Sequence, residues 1–186
     1  MKIGIVLGST RPGRLGTSVA EWVAKQATAR ESVDYEIVDV ADFDLDLLDE
    51  PVVPGAADRQ YENQKTQAWS RVVDGLDGFV FVTPEYNHSV PAAMKNAFDV
   101  LGPEWQRKSI AFVAYGADGG VRSVEHWRSI TANMSMLDAR SQVSLSLFTD
   151  FGEHGFVPSD QRAGELTTLF DEVEQLTGLA QQLKAA

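Results

Sequence analysis

The chain has no cysteine among its 186 residues. That excludes disulfides, thiolate metal ligands and a cysteine nucleophile. Histidine is scarce too: His88, His126 and His154 stand far apart, with no metal-ligand spacing among them. No apolar run approaches the ~20 residues of a membrane-spanning helix. Positive charge is outweighed, 16 Lys and Arg against 27 Asp and Glu for a net charge of −11, whereas a nucleic-acid binder carries a basic face. Met1-Lys2-Ile3-Gly4 enters a strand at once and lacks a signal peptide's cleavage region, so the expected location is cytoplasmic. No linker, repeat or low-complexity tract divides the sequence. A single domain over residues 1–186 is expected, burying roughly 70% of its unfolded surface.

What is present alternates in a regular way. Apolar runs and amphipathic segments predict strand 2–7, helix 17–29, strand 33–39, a long loop, helix 60–74, strand 78–83 and helix 90–101. Strand 109–115, helix 120–132, strand 139–146 and helix 160–183 follow. Five strands alternating with five helices argue an α/β fold with a parallel sheet and right-handed crossovers.

Two turns carry the chemistry. The unbroken apolar run Phe79-Val80-Phe81-Val82 leads directly into Thr83-Pro84-Glu85-Tyr86-Asn87-His88-Ser89 and then into a helix. A polar turn at the carboxyl end of a buried strand is where open α/β sheets bind ligands. The second turn, Gly8-Ser9-Thr10-Arg11-Pro12-Gly13-Arg14-Leu15-Gly16-Thr17-Ser18, lies between the first strand and the first helix. Helix-terminal N–H groups, hydroxyls and arginines together suit a phosphate. Gly8 and Gly13 have Walker spacing, but Arg14-Leu15 replaces the lysine and hydroxyl that a nucleotide triphosphate needs. Gly8, Gly13 and Gly16 are spaced wrongly for the dinucleotide fingerprint. A single terminal phosphate fits better, as flavodoxin-like folds hold flavin mononucleotide. A glycine-rich turn can also do no more than join strand to helix. Asp42-Phe43-Asp44-Leu45-Asp46 imitates the start of a calcium loop, but Leu47 and Val53 occupy the positions that require glycine and glutamate. An acidic loop with Phe43, Leu45 and Leu47 tucked in is the expected reading.

These segments together resemble the NADPH-dependent FMN reductase family of flavodoxin-like proteins. The resemblance runs through Gly8–Arg14, Leu48-Asp49-Glu50-Pro51, Asp77–Asn87, Lys95-Asn96-Ala97-Phe98-Asp99 and Tyr115–Gly120. Pro91-Ala92 departs from an expected Pro-Gly, and the carboxyl-terminal third carries no family signature. The resemblance implies a three-layer sandwich around a five-stranded sheet of order 2-1-3-4-5. It implies FMN, with NADPH or NADH as cosubstrate. The phosphate would sit on Ser9, Arg11, Gly16, Thr17 and Ser18. The ring would lie against Pro84, Glu85, Tyr86 and Asn87, with Glu85 and Asn87 acting mostly through backbone amides. Tyr115, Gly116, Gly119 and Gly120 would approach from the other side. A homodimer or homotetramer is implied, with the Leu48–Pro51 region near a neighbouring subunit. The helical stripe Met94, Ala97, Phe98 and Leu101 is either part of that contact or a cover for the sheet.

The chemistry is then the flavin's own, and no acid/base residue is assigned. His88 reads as an exposed loop histidine beside the site. The expected activity is hydride transfer from NADPH or NADH to a flavin, quinone, azo or metal-oxyanion acceptor. A flavodoxin-like electron carrier and a flavin-binding regulator are the other two classes that the turns allow.

Overall fold

Strand β3 (Gly78–Pro84) and strand β4 (Ser109–Gly116) are buried along their whole length, because helices cover both of their faces. The computed structural model describes residues 1–153 and 155–185; His154 lies outside them. β1 (Lys2–Leu7), β2 (Asp34–Asp39) and β5 (Leu137–Ser146) complete a parallel sheet of order β2-β1-β3-β4-β5. This is the order expected from the resemblance. The crossovers are α1 (Gly16–Ala27), α2 (Gln64–Asp74), α3 (Ala92–Asp99) and α4 (Val121–Ala132), and α5 (Asp160–Ala185) closes the fold. Among the described residues, no helix is long and apolar enough to cross a membrane.

Alternation along the strands divides the core in two. Phe79, Phe81 and Phe112 face α2, α3 and α4, where Trp69, Trp105 and Trp127 fill the layer. Val80, Val82, Val113 and Tyr115 face α1 and α5, against Val19, Leu166, Phe170 and Val173. Each buried indole finds an acceptor, as a buried N–H must. Trp69 donates to Ala97 O, Trp105 to Phe98 O and Trp127 to Thr83 Oγ1. Met94, Ala97, Phe98 and Leu101 are buried against the sheet. Of the two alternatives open for this stripe on and just beyond α3, the structure shows the cover for the sheet.

Element boundaries shift where local chemistry intervenes. α2 starts at Gln64 rather than 60 because the Asn63 side chain accepts from Lys65 N at 2.9 Å and caps the helix there. The residues before it form a turn tied to the core by Glu104. This fully buried carboxylate accepts from Tyr61 Oη at 2.9 Å, Ser70 Oγ at 2.6 Å and Gly102 N at 3.1 Å. Two 3-10 turns, Val40–Phe43 and Pro54–Ala56, lie within the long loop after β2. In that loop Phe43 and Leu45 pack on the core as expected. Leu47 does not: it is 82% exposed, because the chain turns outward once Asp44 and Asp46 have paired with Lys65.

The edge strand β5 carries an irregularity opposite Ile110–Phe112. Its backbone groups there are met by flanking helices. Arg128 donates to Ala139 O at 2.9 Å and Arg140 O at 3.1 Å, and Glu172 accepts from Ser141 N at 2.8 Å. A short antiparallel hairpin, β6 (Phe151–Gly152) with β7 (Gly155–Phe156), follows β5 and has no counterpart in the sequence reading.

Glu104→Ala should lower the unfolding free energy by on the order of 3 kcal/mol, since it strands buried donors that have no other acceptor. Urea denaturation measures this, and Glu104→Gln, which keeps one acceptor oxygen, should lose less. An unchanged midpoint for Glu104→Ala would mean that Tyr61 and Ser70 find other partners.

Candidate functional site

Because β1, β3 and β4 are neighbours, the loops at their carboxyl ends meet at one edge of the sheet. The loop after β1 starts with Gly8, whose N–H donates to Val82 O at 3.0 Å. A side chain at this position would collide with the Met94 thioether on α3, so glycine is required here by packing. Ser9 is fully buried. Its hydroxyl bonds Tyr86 Oη at 2.8 Å and so joins this loop to the turn after β3, 77 residues away.

The two arginines of the loop have different tasks. Arg14 braces the loop: it donates to Ser9 O at 2.9 Å and Thr17 Oγ1 at 3.3 Å, and pairs with Asp39 at the end of β2. Arg11 donates only to the carbonyls of Pro12 and Gly13, at 3.2 and 3.3 Å. No acid among the described residues pairs with it. α1 then begins at Gly16 with no side-chain cap and no acidic residue in its first turn. Its leading N–H groups keep the partial positive charge of a helix start. Ser18 Oγ turns back to Leu15 O at 2.8 Å. Ser9, Arg11, Gly16, Thr17 and Ser18 thus lie on one loop and helix start that is short of acids, and the donor set fits a phosphate.

The turn after β3 is a two-residue hairpin. Tyr86 N donates to Ser89 O at 3.0 Å and Ser89 N to Tyr86 O at 3.1 Å. Asn87 and His88 both have positive φ, at 50° and 71°, the geometry of a type I′ turn. Asparagine tolerates it well. Among the described residues, the Asn87 and His88 amides have no acceptor, so they are the free donors at the tip. Glu85 is not: its N–H goes to Tyr115 O at 3.0 Å. The expectation that Glu85 offers its amide is therefore corrected. Its carboxylate, only 6% exposed, instead accepts from Arg122 Nε at 2.5 Å and Arg122 N at 3.2 Å. Arg122 also pairs with Asp118. The turn is thereby tied to the start of α4. Ser89 Oγ adds a second tie, 2.8 Å from His126 Nδ1. His126 is therefore not isolated, as its sequence position implied; His88 is exposed at the turn tip.

The glycines at and after the end of β4 have a packing reason of their own. Gly119 and Gly120 have φ of 71° and 72°. A Cβ on Gly120 would meet Tyr115 N at 2.8 Å, and one on Gly116 would meet Glu85 Cβ at 3.3 Å. These glycines let the chain fold tightly on itself. Pro84 ends β3, paired with Tyr115. Tyr115 points to the α1 side of the sheet and is 5% exposed, and its hydroxyl has no hydrogen-bond partner among the described residues.

Sequence reasoning missed the Arg122–Glu85 tie, which spans 37 residues, and the β6–β7 hairpin. Phe151 of that hairpin packs on Tyr115 with ring centroids 6.3 Å apart, and Phe156 packs on Trp22 of α1 at 5.4 Å. Buried Asp150 anchors it, accepting from Ser146 N at 2.9 Å and Arg162 Nε at 3.1 Å. Two phenylalanines around Gly152 and Gly155 were the available signal. A groove of about 430 Å³ lies beside the loop after β1, between Thr10, the Val40–Leu47 segment and the start of α3. Among the described residues, no group of three or more His, Asp or Glu is placed to hold a metal ion.

Arg122→Ala should free the turn. Hydrogen exchange at the Tyr86 and Ser89 amides should speed up by roughly fivefold, the order expected from losing one partly exposed ion pair. Unaltered exchange rates would mean that the turn's own hydrogen bonds suffice.

Comparison with known proteins agrees with this arrangement. Residues 1–150 match the NADPH-dependent FMN reductase family. An NAD(P)H-dependent FMN reductase of Schizosaccharomyces pombe is 36% identical over 179 residues, covering 94% of this chain and 90% of that protein. A quinone reductase of Escherichia coli is 34% identical over 138 residues, covering 70% and 69%. The structure of FerB, a flavoenzyme NAD(P)H:(acceptor) oxidoreductase from Paracoccus denitrificans, superposes with a TM-score of 0.73 at 17% identity, covering 94% and 97% of the two chains. On the family match over residues 1–150 and the 36% identity to a relative across nearly the whole chain, this chain belongs to the NADPH-dependent FMN reductase family.

Proposed function

We propose that the protein works as an NAD(P)H-dependent FMN reductase, moving hydride from NADPH or NADH to small electron acceptors. The observation that carries this reading is the pairing of two donor sets on one sheet edge. An uncapped helix start with unpaired Arg11 lies on one side, and the free Asn87 and His88 amides lie on the other. The first set suits a phosphate dianion, because dipole, hydroxyl and guanidinium all favour negative charge there. The second suits the acceptor atoms on the polar edge of a flavin. When bound, FMN supplies the two-electron chemistry between nicotinamide and acceptor.

The chain's own residues then bind and orient. Ser9, Arg11, Gly16, Thr17 and Ser18 hold the phosphate end. Pro84, Tyr86 and Asn87 hold the ring end, with Glu85 fixing the turn through Arg122. Gly116, Gly119 and Gly120 keep the third loop low, so that it borders the site without filling it. The Ser9–Tyr86 hydrogen bond keeps the two ends in register. No side chain is assigned as acid or base. Nicotinamide and acceptor would use the same open face in turn, giving ping-pong kinetics. Flavins, quinones and azo compounds are the proposed acceptor classes. The five-stranded sheet, with helices from both halves of the chain on its faces, supports reading residues 1–186 as one domain, and the net charge of −11 argues against nucleic acid or an acidic membrane surface as partner. The cytoplasm is the proposed compartment.

Mixing the FMN-loaded protein anaerobically with NADPH, and separately with NADH, should bleach the flavin absorbance in a stopped-flow record. A flavin that stays oxidised with both, yet accepts electrons from dithionite, would overturn the reductase reading.

We also propose a homodimer or homotetramer. The support is the pair of exposed apolar dipeptides Leu47-Leu48 and Val52-Val53 on either side of Asp49-Glu50-Pro51, between 45% and 82% exposed, since clustered exposed apolar side chains mark contact sites. Light scattering should give a multiple of the 20.4 kDa chain mass, and Leu47→Glu with Val53→Glu should reduce it to one. A monomer mass for the unaltered protein across micromolar concentrations would reject the oligomer.

A further inference from the structure

The ring of Tyr115 packs in the core, but its hydroxyl has no hydrogen-bonding task among the described residues. It lies in β4 with 5% exposure, yet its Oη has no hydrogen-bond partner among the described residues. Most buried polar atoms are paired, and an orphan needs a reason. Ser9 Oγ is the nearest candidate partner and pulls the phenol's ionisation down as a hydrogen-bonding group would, but it lies outside hydrogen-bond geometry to Tyr115 Oη and is engaged with Tyr86 Oη at 2.8 Å. Phe151 packs on the ring and offers no acceptor.

Where the hydroxyl points is specific. A Cβ on Gly16 would lie 2.7 Å from Tyr115 Oη and equally close to Leu7 Cδ1. Gly16 is the first residue of α1, the helix that starts with no side-chain cap and no acid in its first turn. Glycine at this position is what allows the phenol to reach the helix start. Two independent observations thus converge: an unsatisfied set of helix N–H groups and an unsatisfied buried hydroxyl beside them. One acceptor carrying negative charge would satisfy both.

The geometry points to Tyr115 as a phosphate-selecting residue, its hydroxyl donating to the phosphate end of FMN from beneath the loop. This rests on the function proposed above, and moves Tyr115 from the ring, where the sequence placed it, to the other end of the cofactor. Burial pushes the phenol's ionisation far above neutral pH, with the Tyr86 phenol adding to it, so the proton needed for donation stays in place. The Ser9 hydroxyl, and after it the charged neighbours Arg11 and Arg14, pull the other way, and burial outweighs them. In the free protein the unpaired hydroxyl is a cost that the bound phosphate removes.

Tyr115→Phe keeps the ring and removes only this hydroxyl, which gives effects of opposite sign in the two states. The cofactor-free variant should melt at the same temperature as the parent or higher, because the lost group had no partner. FMN should bind it about tenfold to a hundredfold more weakly, the range for one hydrogen bond to a charged acceptor, while riboflavin, which lacks the phosphate, should bind equally to both proteins. Thermal melts and fluorescence titrations with FMN and riboflavin give all three readings. Equal losses for both flavins, no loss for either, or a lowered melting temperature of the cofactor-free variant would each overturn the assignment. If the unaltered protein binds neither flavin, the reductase reading fails with it. If the unaltered protein binds FMN and the variant shows no split between the two flavins, only the role of Tyr115 fails.

Discussion

The placement of β3 between β1 and β4 is the constraint on which the rest of this structure depends. β3 has no polar side chain pointing to either face until Thr83, so it is stable only with a strand on each side and a helix layer above and below. Once it is central, right-handed crossovers place α1 and α5 on one face and α2, α3 and α4 on the other. Three loops then end side by side at the carboxyl edge. Nothing in the loops needs to bring them together. The sheet does so, and Ser9 with Tyr86 fastens the result.

Within that frame, each loop satisfies most of its polar groups internally and leaves a few open. Arg14 spends its donors on Ser9, Thr17 and Asp39, and Glu85 is held by Arg122. What remains open among the described residues is therefore informative: Arg11, which meets only carbonyls and no acid, the first amides of α1, and the amides at the tip of the Asn87-His88 turn. Internal pairing narrows a turn rich in polar groups to a short set of donors with fixed positions. A rigid set of this kind can hold a ligand with little ordering cost at the moment of binding.

Much of this was legible in the sequence. The apolar runs 79–82 and 110–114 have no alternation, which only a strand covered on both faces tolerates, and they gave the parallel sheet. The loop after β1 was readable because hydroxyls, arginine and glycine at a helix start have few other uses together. Other features were illegible for physical reasons. The stripe Met94, Ala97, Phe98 and Leu101 shows an apolar helix face but cannot say whether a sheet or a subunit covers it. Gly8 is visible as a turn residue, but the Met94 thioether that excludes a side chain there is a contact across 86 positions. Arg122 and Glu85 carry no local pattern linking them. Strands of two residues, as in β6 and β7, are too short to show any period.

The irregular stretch of β5 has a consequence for how this molecule behaves in a crowd. A sheet with such apolar central strands offers a template to any extended chain that can reach an open border. On the β5 side, the irregular stretch of that border is covered by the guanidinium of Arg128 over Ala139 and Arg140 and by the carboxylate of Glu172 on Ser141. Two side chains from separate helices thus occupy backbone groups that an added strand would need there, and strand-by-strand growth is the first step towards fibrillar aggregation. An extended chain arriving at residues 139–141 meets side chains rather than free backbone groups.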